Sequence, residues 1–315
     1  MLRLLPRHSV WVALVLAVLP LASCDRGRAS RTWVRQGEPA LSETRAIGTL
    51  DNAGLDEGSG IVASPSVPGL FWALNDSGNE PALFALSADG HVQGAVRIAG
   101  AVNRDWEALG VGPCPGGSCL FIGDVGDNSA RRTSVQLYRV REPAAPNGLT
   151  TTPVSAFTEV RFADGAHDVE AMYVAPDTSV WFITKRPAKA TDGAARPVHL
   201  HRLPLAGWQD TTPLPVEDSL PIVPLKDGGL GRDWPTDASL GPADSTGQRR
   251  LAVLTYGAVY VFATDPVTGR PWRRIARCAL PIRETTSEGI SWMADGSLLI
   301  LSEGIGAVLY SGICR

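Results

Sequence analysis

Five acidic residues recur along the chain, each directly ahead of a short apolar run. They lie in LDEGSGIVAS, RDWEALGVGP, HDVEAMYVAP, DWPTDASLGP and TSEGISWMAD, as Glu57, Glu107, Glu170, Asp237 and Glu288. Carboxylates held close together repel one another, so their pKa values rise unless a cation neutralises them. Oxygen ligands from several loops suit Ca²⁺, which takes six to eight of them, better than Zn²⁺. The recurrence therefore predicts a calcium site, provided that the fold brings the acids together.

The segments between the acids contain the strands that would position them. Behind the acids come LFWALND, LFIGD, VWFITK, LAVLTY and LLILSE, followed by ALFAL, VQLYRV, HLHRL, AVYVF and AVLYS. Four units add another run: VQGAVRIAG, AFTEVRFA, LPIVPL and RRIARCAL. Four short strands per unit, repeated with turns between them, are typical of a β-propeller. We predict an all-β fold of five four-stranded blades, or six if the segment from Leu203 to Ser219 contains another.

The last unit ends at Arg315 after only three strands. Its missing outer strand is available upstream of the first unit, in TRAIGTL (44–50). A propeller has to close its ring or leave an edge strand exposed. We therefore predict that an N-terminal strand completes the last blade, and that residues 43–315 form the propeller domain.

In a propeller the first strand of each blade lines the central channel, so the recurring acids should meet at one mouth. The ends of the second strands should reach the same mouth, with Asp76, Asp124, Lys185, Tyr256 and Glu303, and so should the loop acids Asp105 and Asp168. The predicted metal ligands are Glu57, Asp76, Glu107, Asp124, Glu170, Asp237 and Glu288. The alternative for each recurring acid is structural: its carboxylate accepts backbone N–H bonds between blades and holds the ring together.

The N-terminus has the pattern of a bacterial export signal. Arg3 and Arg7 precede a short apolar run that ends in LASC, which resembles a lipoprotein cleavage box. We predict a signal peptide over residues 1–23, a lipid on Cys24 and a polar tether over residues 24–42. The alternative is an ordinary secretory signal with a cysteine nearby. Either way the chain is expected in the bacterial cell envelope, and lipid on Cys24 would hold it to a membrane, facing the periplasm or the cell surface.

The remaining four cysteines are an even number, as expected in an oxidising compartment. Cys114 and Cys119 bracket a Pro-Gly-Gly turn that can close a small disulfide loop, and Cys278 would then pair with Cys314. Metal-binding thiolates are the alternative, although the spacing is unlike that of a zinc site. Net charge is −3, which gives no basic field for a nucleic acid. The sequence also lacks the G-x-S-x-G pattern of a serine nucleophile.

The run DEGSGIVAS…LFWALNDSG…DWEALGVG…LFIGDVGDN resembles bacterial propellers related to the phytase-like and esterase-like phytase domains, and more distantly the gluconolactonase and paraoxonase group. The resemblance implies a Ca²⁺ in the central funnel that holds a phosphate or a lactone carbonyl. It would assign metal contact to Glu57, Asp76, Glu107, Asp124, Glu170 and Glu288. An anion beside the metal could be clamped by Arg104, Lys185 and Arg186, and a lactonase would need His167 as its base.

Three functions are compatible with these patterns. The first is a membrane-anchored propeller whose acidic funnel binds a divalent cation and a ligand or partner without turnover. The second is a Ca²⁺-dependent hydrolase of phosphoesters or lactones. The third is a structural envelope protein whose acids only hold the ring together. Because propellers serve all three, the choice depends on the site.

Overall fold

The chain folds into a five-bladed β-propeller. The computed structural model describes residues 39–51, 54–186, 196–222, 233–280 and 286–315. The strands are β1 (Ser42–Thr49), β2 (Gly58–Ala63), β3 (Leu70–Asn75), β4 (Ala82–Ser87), β5 (Val92–Ala99), β6 (Trp106–Cys114), β7 (Gly117–Asp124), β8 (Val135–Arg141), β9 (Gly148–Pro153), β10 (Ala156–Val160), β11 (Val169–Val174), β12 (Val180–Thr184), β13 (Val198–Leu203), β14 (Asp218–Leu220), β15 (Pro235–Leu240), β16 (Arg250–Thr255), β17 (Ala258–Thr264), β18 (Pro271–Ala279), β19 (Ser287–Trp292), β20 (Leu298–Ser302) and β21 (Val308–Ile313).

Each blade is a sheet that runs from the channel outwards. Blade 1 is β2-β3-β4-β5, blade 2 is β6-β7-β8-β10, blade 3 is β11-β12-β13-β14, blade 4 is β15-β16-β17-β18 and blade 5 is β19-β20-β21-β1. The first strand of every blade contacts the first strands of both neighbouring blades, which closes the ring. The predicted five-bladed, all-β fold is confirmed.

The ring closes as the sequence predicts, because β1 pairs antiparallel with β21 and supplies the outer strand of blade 5. The segment from Leu203 to Ser219 holds no sixth blade. It contains a short 3₁₀ helix, Leu205–Gln209, and a single bridge from Phe162 to Leu214. The sequence prediction missed β9, which extends blade 1 by pairing parallel to β5.

Apolar side chains pack between the blades rather than at one centre. Trp72 and Trp106 are fully buried between blades 1 and 2, and Trp181 is buried between blades 3 and 4, next to aliphatic residues from the facing sheet. A fully buried side chain of this kind stabilises the fold by about 1.5–3 kcal/mol. The sequence predicts Trp72, Trp181 and Trp292 as core residues; Trp72 and Trp181 are buried as predicted, whereas Trp292 is only partly buried and lines a cavity.

Both predicted disulfides are present, between Cys114 and Cys119 and between Cys278 and Cys314. The first closes the β6–β7 hairpin, and the second joins β18 of blade 4 to the residue that follows β21 of blade 5. The predicted signal peptide, Cys24 and most of the predicted tether lie outside the described residues. The described part of the chain contains no helix long and apolar enough to span a membrane.

Candidate functional site

A β-bulge at the start of each first strand determines which side chains enter the channel. The pairing of the first strand with the second slips by one residue in all five blades, and the residues left unpaired are Ser59, Glu107, Glu170, Thr236 and Glu288. A bulge leaves one residue out of the ladder and re-aims its side chain. Three of the five bulge positions therefore carry the predicted acids.

The bulge explains why Glu57 and Asp237 differ from the other recurring acids. Glu57 lies two residues ahead of the bulge residue of its blade and Asp237 lies one residue after. Glu57 is exposed, and its carboxylate accepts a hydrogen bond from the Nδ2 group of Asn79 at 2.6 Å. When the five units are aligned by their acidic residues, blades 1 and 4 are therefore out of register with the other three.

Asp237 holds the ring together. Its side chain is fully buried, and its carboxyl accepts backbone N–H bonds from Ala238 at 2.8 Å, Ile290 at 2.7 Å and Ile61 at 3.5 Å. Ile290 and Ile61 belong to the first strands of blades 5 and 1. Burial raises the pKa of Asp237 well above its usual range, and the three N–H groups offset part of this. These bonds favour, for Asp237, the structural role that was the alternative to metal ligation.

Asp124 forms an ion pair with Arg132. Its fully buried carboxylate lies 2.8 Å from the Nη1 atom of Arg132 and accepts the backbone N–H of Arg104 at 3.2 Å. The neighbouring guanidinium neutralises it, so it does not need a bound cation. The predicted anion-binding residue Arg104 contributes its backbone here, while its side chain is exposed.

The remaining acids form a cluster at one mouth of the channel. Ligand oxygens of Asp76, Asp105 and Glu107 all lie within 4.8 Å of one another. Glu107 is 4% exposed and accepts a hydrogen bond from the hydroxyl of Ser59, the bulge residue of blade 1, at 2.6 Å. We call Asp76, Asp105 and Glu107 the acidic triad.

Among the described residues no basic side chain forms an ion pair with the acidic triad, although the charge of Arg132 partly offsets the rise in the pKa of Asp105. Burial raises the pKa of Glu107 well above its usual range, and the charges of Glu170 and Asp76 raise it further. Burial also raises the pKa of Asp105 to about 6, with added repulsion from Asp76 and Asp168. These are the shifts expected of carboxylates gathered without a counterion.

Gly126 allows two members of the acidic triad to pack close to the backbone. A Cβ atom at this position would lie 2.6 Å from the carboxyl carbon of Asp105 and 2.8 Å from Cγ of Glu107. The Gly126 amide also donates to the carbonyl oxygen of Asp105 at 3.1 Å. The GDVGDN turn is therefore part of the site through its backbone and not through its acids.

A second group in the channel pairs acids with donors. Lys185 is buried and forms an ion pair with Glu170, and Tyr256 hydrogen bonds to Glu288. Burial raises the pKa of Glu170, an effect that the Lys185 ammonium partly offsets, and burial and the charge of Glu170 also raise the pKa of Glu288. Since Lys185 supplies the positive charge here, Glu170 and Glu288 need a cation less than the triad does.

Two cations lie at the edge of this group, against a tryptophan that the sequence analysis did not single out. The guanidinium of Arg186 is 4.5 Å from the centre of the Trp234 ring, and the Lys185 ammonium is 5.8 Å from the same ring. Arg186 is also 3.7 Å from Asp168. The segment RDWPTDASLG repeats the RDW of RDWEALGVG, a signal that places Trp234 just ahead of the first strand of its blade.

His167 does not face the acidic triad. It lies in the loop between β10 and β11, where its ring is 5.4 Å from that of His201 and 6.0 Å from that of His199. Burial lowers the pKa of His201 to about 4. His199 and His201 lie on β13, the third strand of blade 3 and away from the channel, and His167 joins them there, which the sequence did not indicate.

The channel widens at its opposite end, where the first strands finish. A cavity of about 800 Å³ opens there between residues of all five blades, including Val111, Val174, Leu240 and Trp292. Its lining is mostly apolar, with Arg249 as its charged residue, so the acids of the channel lie at the other mouth.

Comparison with known proteins adds little to this geometry. No protein-family model and no curated protein matches the chain. Solved structures that resemble it include a luciferin-regenerating enzyme (10% identity, TM-score 0.44, covering 85% of this chain and 94% of that one). Others are the soluble aldose sugar dehydrogenase of Escherichia coli (12%, 0.45, 86% and 99%) and an auxiliary nutrient binding protein from Bacteroides thetaiotaomicron (9%, 0.42, 85% and 76%). The fold rests on the strand pairing itself, and these matches carry no argument about function.

Proposed function

We propose that this protein is a cell-envelope propeller whose acidic triad binds a divalent cation together with an anionic ligand. The observation that supports it most is the approach of ligand oxygens of Asp76, Asp105 and Glu107 to within 4.8 Å, with Glu107 buried and no basic partner for it among the described residues. Keeping three carboxylates this close without a counterion is costly, and a bound cation removes that cost.

Ca²⁺ is the cation that fits the donor set best. The triad offers only carboxylate oxygens, which are hard ligands, and neither imidazole nor sulfur is among them. The second group, Glu170 with Lys185 and Glu288 with Tyr256, would stand beside the ion. A triad supplies fewer oxygens than Ca²⁺ takes, so water or an oxygen-rich ligand would complete its shell.

The proposed ligand is anionic because positive groups flank the cation site. Lys185 lies in the channel, and the Arg186 guanidinium is 4.5 Å from the centre of the Trp234 ring at the edge. A cation and a guanidinium together suit a phosphate or carboxylate group. The resemblance to phytase-like propellers supports the same ligand class.

The proposed location is the membrane surface, through lipid on Cys24. We expect the full chain, expressed in a bacterium, to partition into a detergent phase and to incorporate labelled palmitate. A Cys24→Ala variant should lose the label and become water-extractable, because acyl chains provide the membrane affinity. Equal labelling of both proteins would contradict lipidation at Cys24.

Calcium should stabilise the domain. In the chain beginning at residue 25, Ca²⁺ at 100 times its dissociation constant should raise the free energy of unfolding by about 2.7 kcal/mol, or the melting temperature by roughly 5 to 10 °C. The shift should be smaller at pH 5 than at pH 7.5, because Asp105, with a pKa of about 6, is mostly protonated at pH 5 and Ca²⁺ must displace the proton. Thermal melts with Ca²⁺ and with chelator measure both effects.

Matched variants make this test specific. An Asp105→Asn, Glu107→Gln variant should lose the Ca²⁺ shift while melting higher than the wild type in chelator, since it loses the repulsion between carboxylates. Glu57→Gln is the control and should keep the full shift, because Glu57 lies outside the triad. A Ca²⁺ shift that survives in the double variant would contradict the proposal. Assays with a phosphoester and a lactone separate binding from hydrolysis, and we expect no turnover.

A further inference from the structure

Three histidines and an aspartate meet at a place that the acidic triad does not use. Asp164 and His167 lie in the loop between β10 and β11, and His199 and His201 project from the same face of β13, two residues apart. One ligand atom from each residue lies within 4.8 Å of every other. The cluster faces the packing between blades 2 and 3, and is separate from the triad.

The nitrogen of His201 that faces the cluster cannot donate a hydrogen bond. Its Nδ1 atom lies 2.9 Å from the carbonyl oxygen of Pro215, which only accepts, so Nδ1 carries the proton. Burial at 0% exposure disfavours a second proton on the ring. Nε2 therefore presents a lone pair, and it lies 3.6 Å from a carboxylate oxygen of Asp164, which is also an acceptor.

His167 has a similarly unsatisfied nitrogen. Its Nε2 atom lies 2.9 Å from Asp164, but the contact lacks hydrogen-bond geometry, and the atom is buried without a partner, as is Nε2 of His201. His167 is 6% exposed. Two buried imidazole nitrogens thus converge on one carboxylate, and the lone pair on Nε2 of His201 is unfavourable there unless a cation lies beside it.

The surroundings of the cluster resemble those of a metal site. The Phe162 ring lies 4.6 Å from the His201 ring and 5.6 Å from the His167 ring, and it shields both from water. The Nδ1–H···O=C bond of His201 fixes the ring and its tautomer, which is the usual outer support of a metal-bound histidine.

We propose that Asp164, His167, His199 and His201 bind one divalent transition-metal ion, with Zn²⁺ as the best match. Three imidazoles and one carboxylate are a four-coordinate donor set typical of zinc, and imidazole distinguishes this site from the oxygen-only triad. Two nitrogens bound to one tetrahedral Zn²⁺ lie roughly 3.3 Å apart, so the cluster needs only a small contraction.

The site would fix a loop that leads into the channel. Asp168 and Glu170 follow His167 directly, and Asp168 accepts the backbone N–H of Asp127 at 2.9 Å. A metal shared between this loop and β13 would hold the loop in place. With all four positions taken by the protein, the ion would serve structure and not catalysis.

The test uses Co²⁺ as a spectroscopic probe and Zn²⁺ as its competitor, on full-length protein in mild detergent with excess Ca²⁺ to occupy the triad. We expect one Co²⁺ per chain, with the intense visible bands of a four-coordinate nitrogen site, and their loss when Zn²⁺ is added. His199→Ala, at a half-buried position that tolerates truncation, should weaken Zn²⁺ binding by at least about 100-fold. Asp164→Asn should weaken it as well.

Two controls separate this site from the rest of the protein. His91→Gln removes an exposed histidine on another blade and should leave the Co²⁺ bands unchanged. The Asp105→Asn, Glu107→Gln variant should also keep them, so that a failure of the calcium proposal leaves this one standing. Absence of the bands in the folded wild type, or bands that persist in folded His199→Ala, would overturn the assignment.

Discussion

Replacing Asp237 with alanine should lower the free energy of unfolding by about 3–5 kcal/mol. The change leaves the buried N–H groups of Ala238, Ile290 and Ile61 without the acceptor that they now share. Each unsatisfied buried donor costs about 1–3 kcal/mol, and the cavity left by the carboxyl adds to this. Because Ile290 and Ile61 lie on other blades, the loss weakens the ring and not only blade 4. Urea unfolding followed by circular dichroism measures the change.

The same residue also distinguishes a structural acid from a ligand. Asp237→Asn keeps an acceptor oxygen, so it should be less destabilising than Asp237→Ala, and its Ca²⁺-dependent melting shift should equal that of the wild type. The control is Asp210→Ala, since Asp210 is exposed and accepts only from Thr212. Apart from the loss of its local turn contacts, Asp210→Ala should lower the free energy of unfolding by less than about 0.5 kcal/mol. A loss below about 1 kcal/mol in Asp237→Ala would show that the ring does not depend on this carboxyl.

Removing the Cys278–Cys314 disulfide should destabilise the protein by about 3–4 kcal/mol. The crosslink spans 36 residues and ties blade 4 to the end of blade 5, near the point where β1 closes the ring. Loss of the constraint on the unfolded chain sets the size of this effect. The Cys278→Ser, Cys314→Ser variant should unfold at lower denaturant than the wild type under non-reducing conditions.

The second disulfide provides the matched control. Cys114 and Cys119 are only five residues apart, so the same chain-entropy argument gives about 2 kcal/mol for their removal. Their hairpin is also held by the pairing of β6 with β7. If loss of the short crosslink proves as costly as loss of the long one, ring closure does not depend on Cys278 and Cys314 in the way proposed.

The fold could be predicted from the sequence because each repeated unit shows the same pattern of strands and turns. Each unit pairs turn residues with apolar runs of strand length, and the shortage of one strand at Arg315 matches the surplus strand before residue 50. Strand β9 was missed because GLTTTP is polar and almost entirely exposed, so no hydrophobic alternation marks it.

The site was predicted in outline only. Glu107, Glu170 and Glu288 occupy equivalent bulge positions, as their alignment predicts, whereas Glu57 and Asp237 were aligned by residue type and are one or two positions out of register. A one-residue change in register turns a side chain to the other face of a strand. Aligning SGI of blade 1 with EGI of blade 5 would have avoided the first error.

Contacts between side chains that are distant in the sequence could not be predicted from it. Nothing in the spacing shows that Arg132 neutralises Asp124, that Lys185 pairs with Glu170, or that the loop histidine His167 meets His201 of β13. These contacts depend on how neighbouring blades pack, and they decide which acids remain free for a cation.

A crystal structure of the domain grown with Ca²⁺ would show whether the acidic triad binds the ion. We expect one strong density peak bounded by carboxylate oxygens of Asp76, Asp105 and Glu107, with an anomalous signal when Mn²⁺ replaces Ca²⁺, and no metal at Asp237 or Asp124. A triad that holds only water at saturating Ca²⁺, or an ion bound by Glu57 instead, would contradict it.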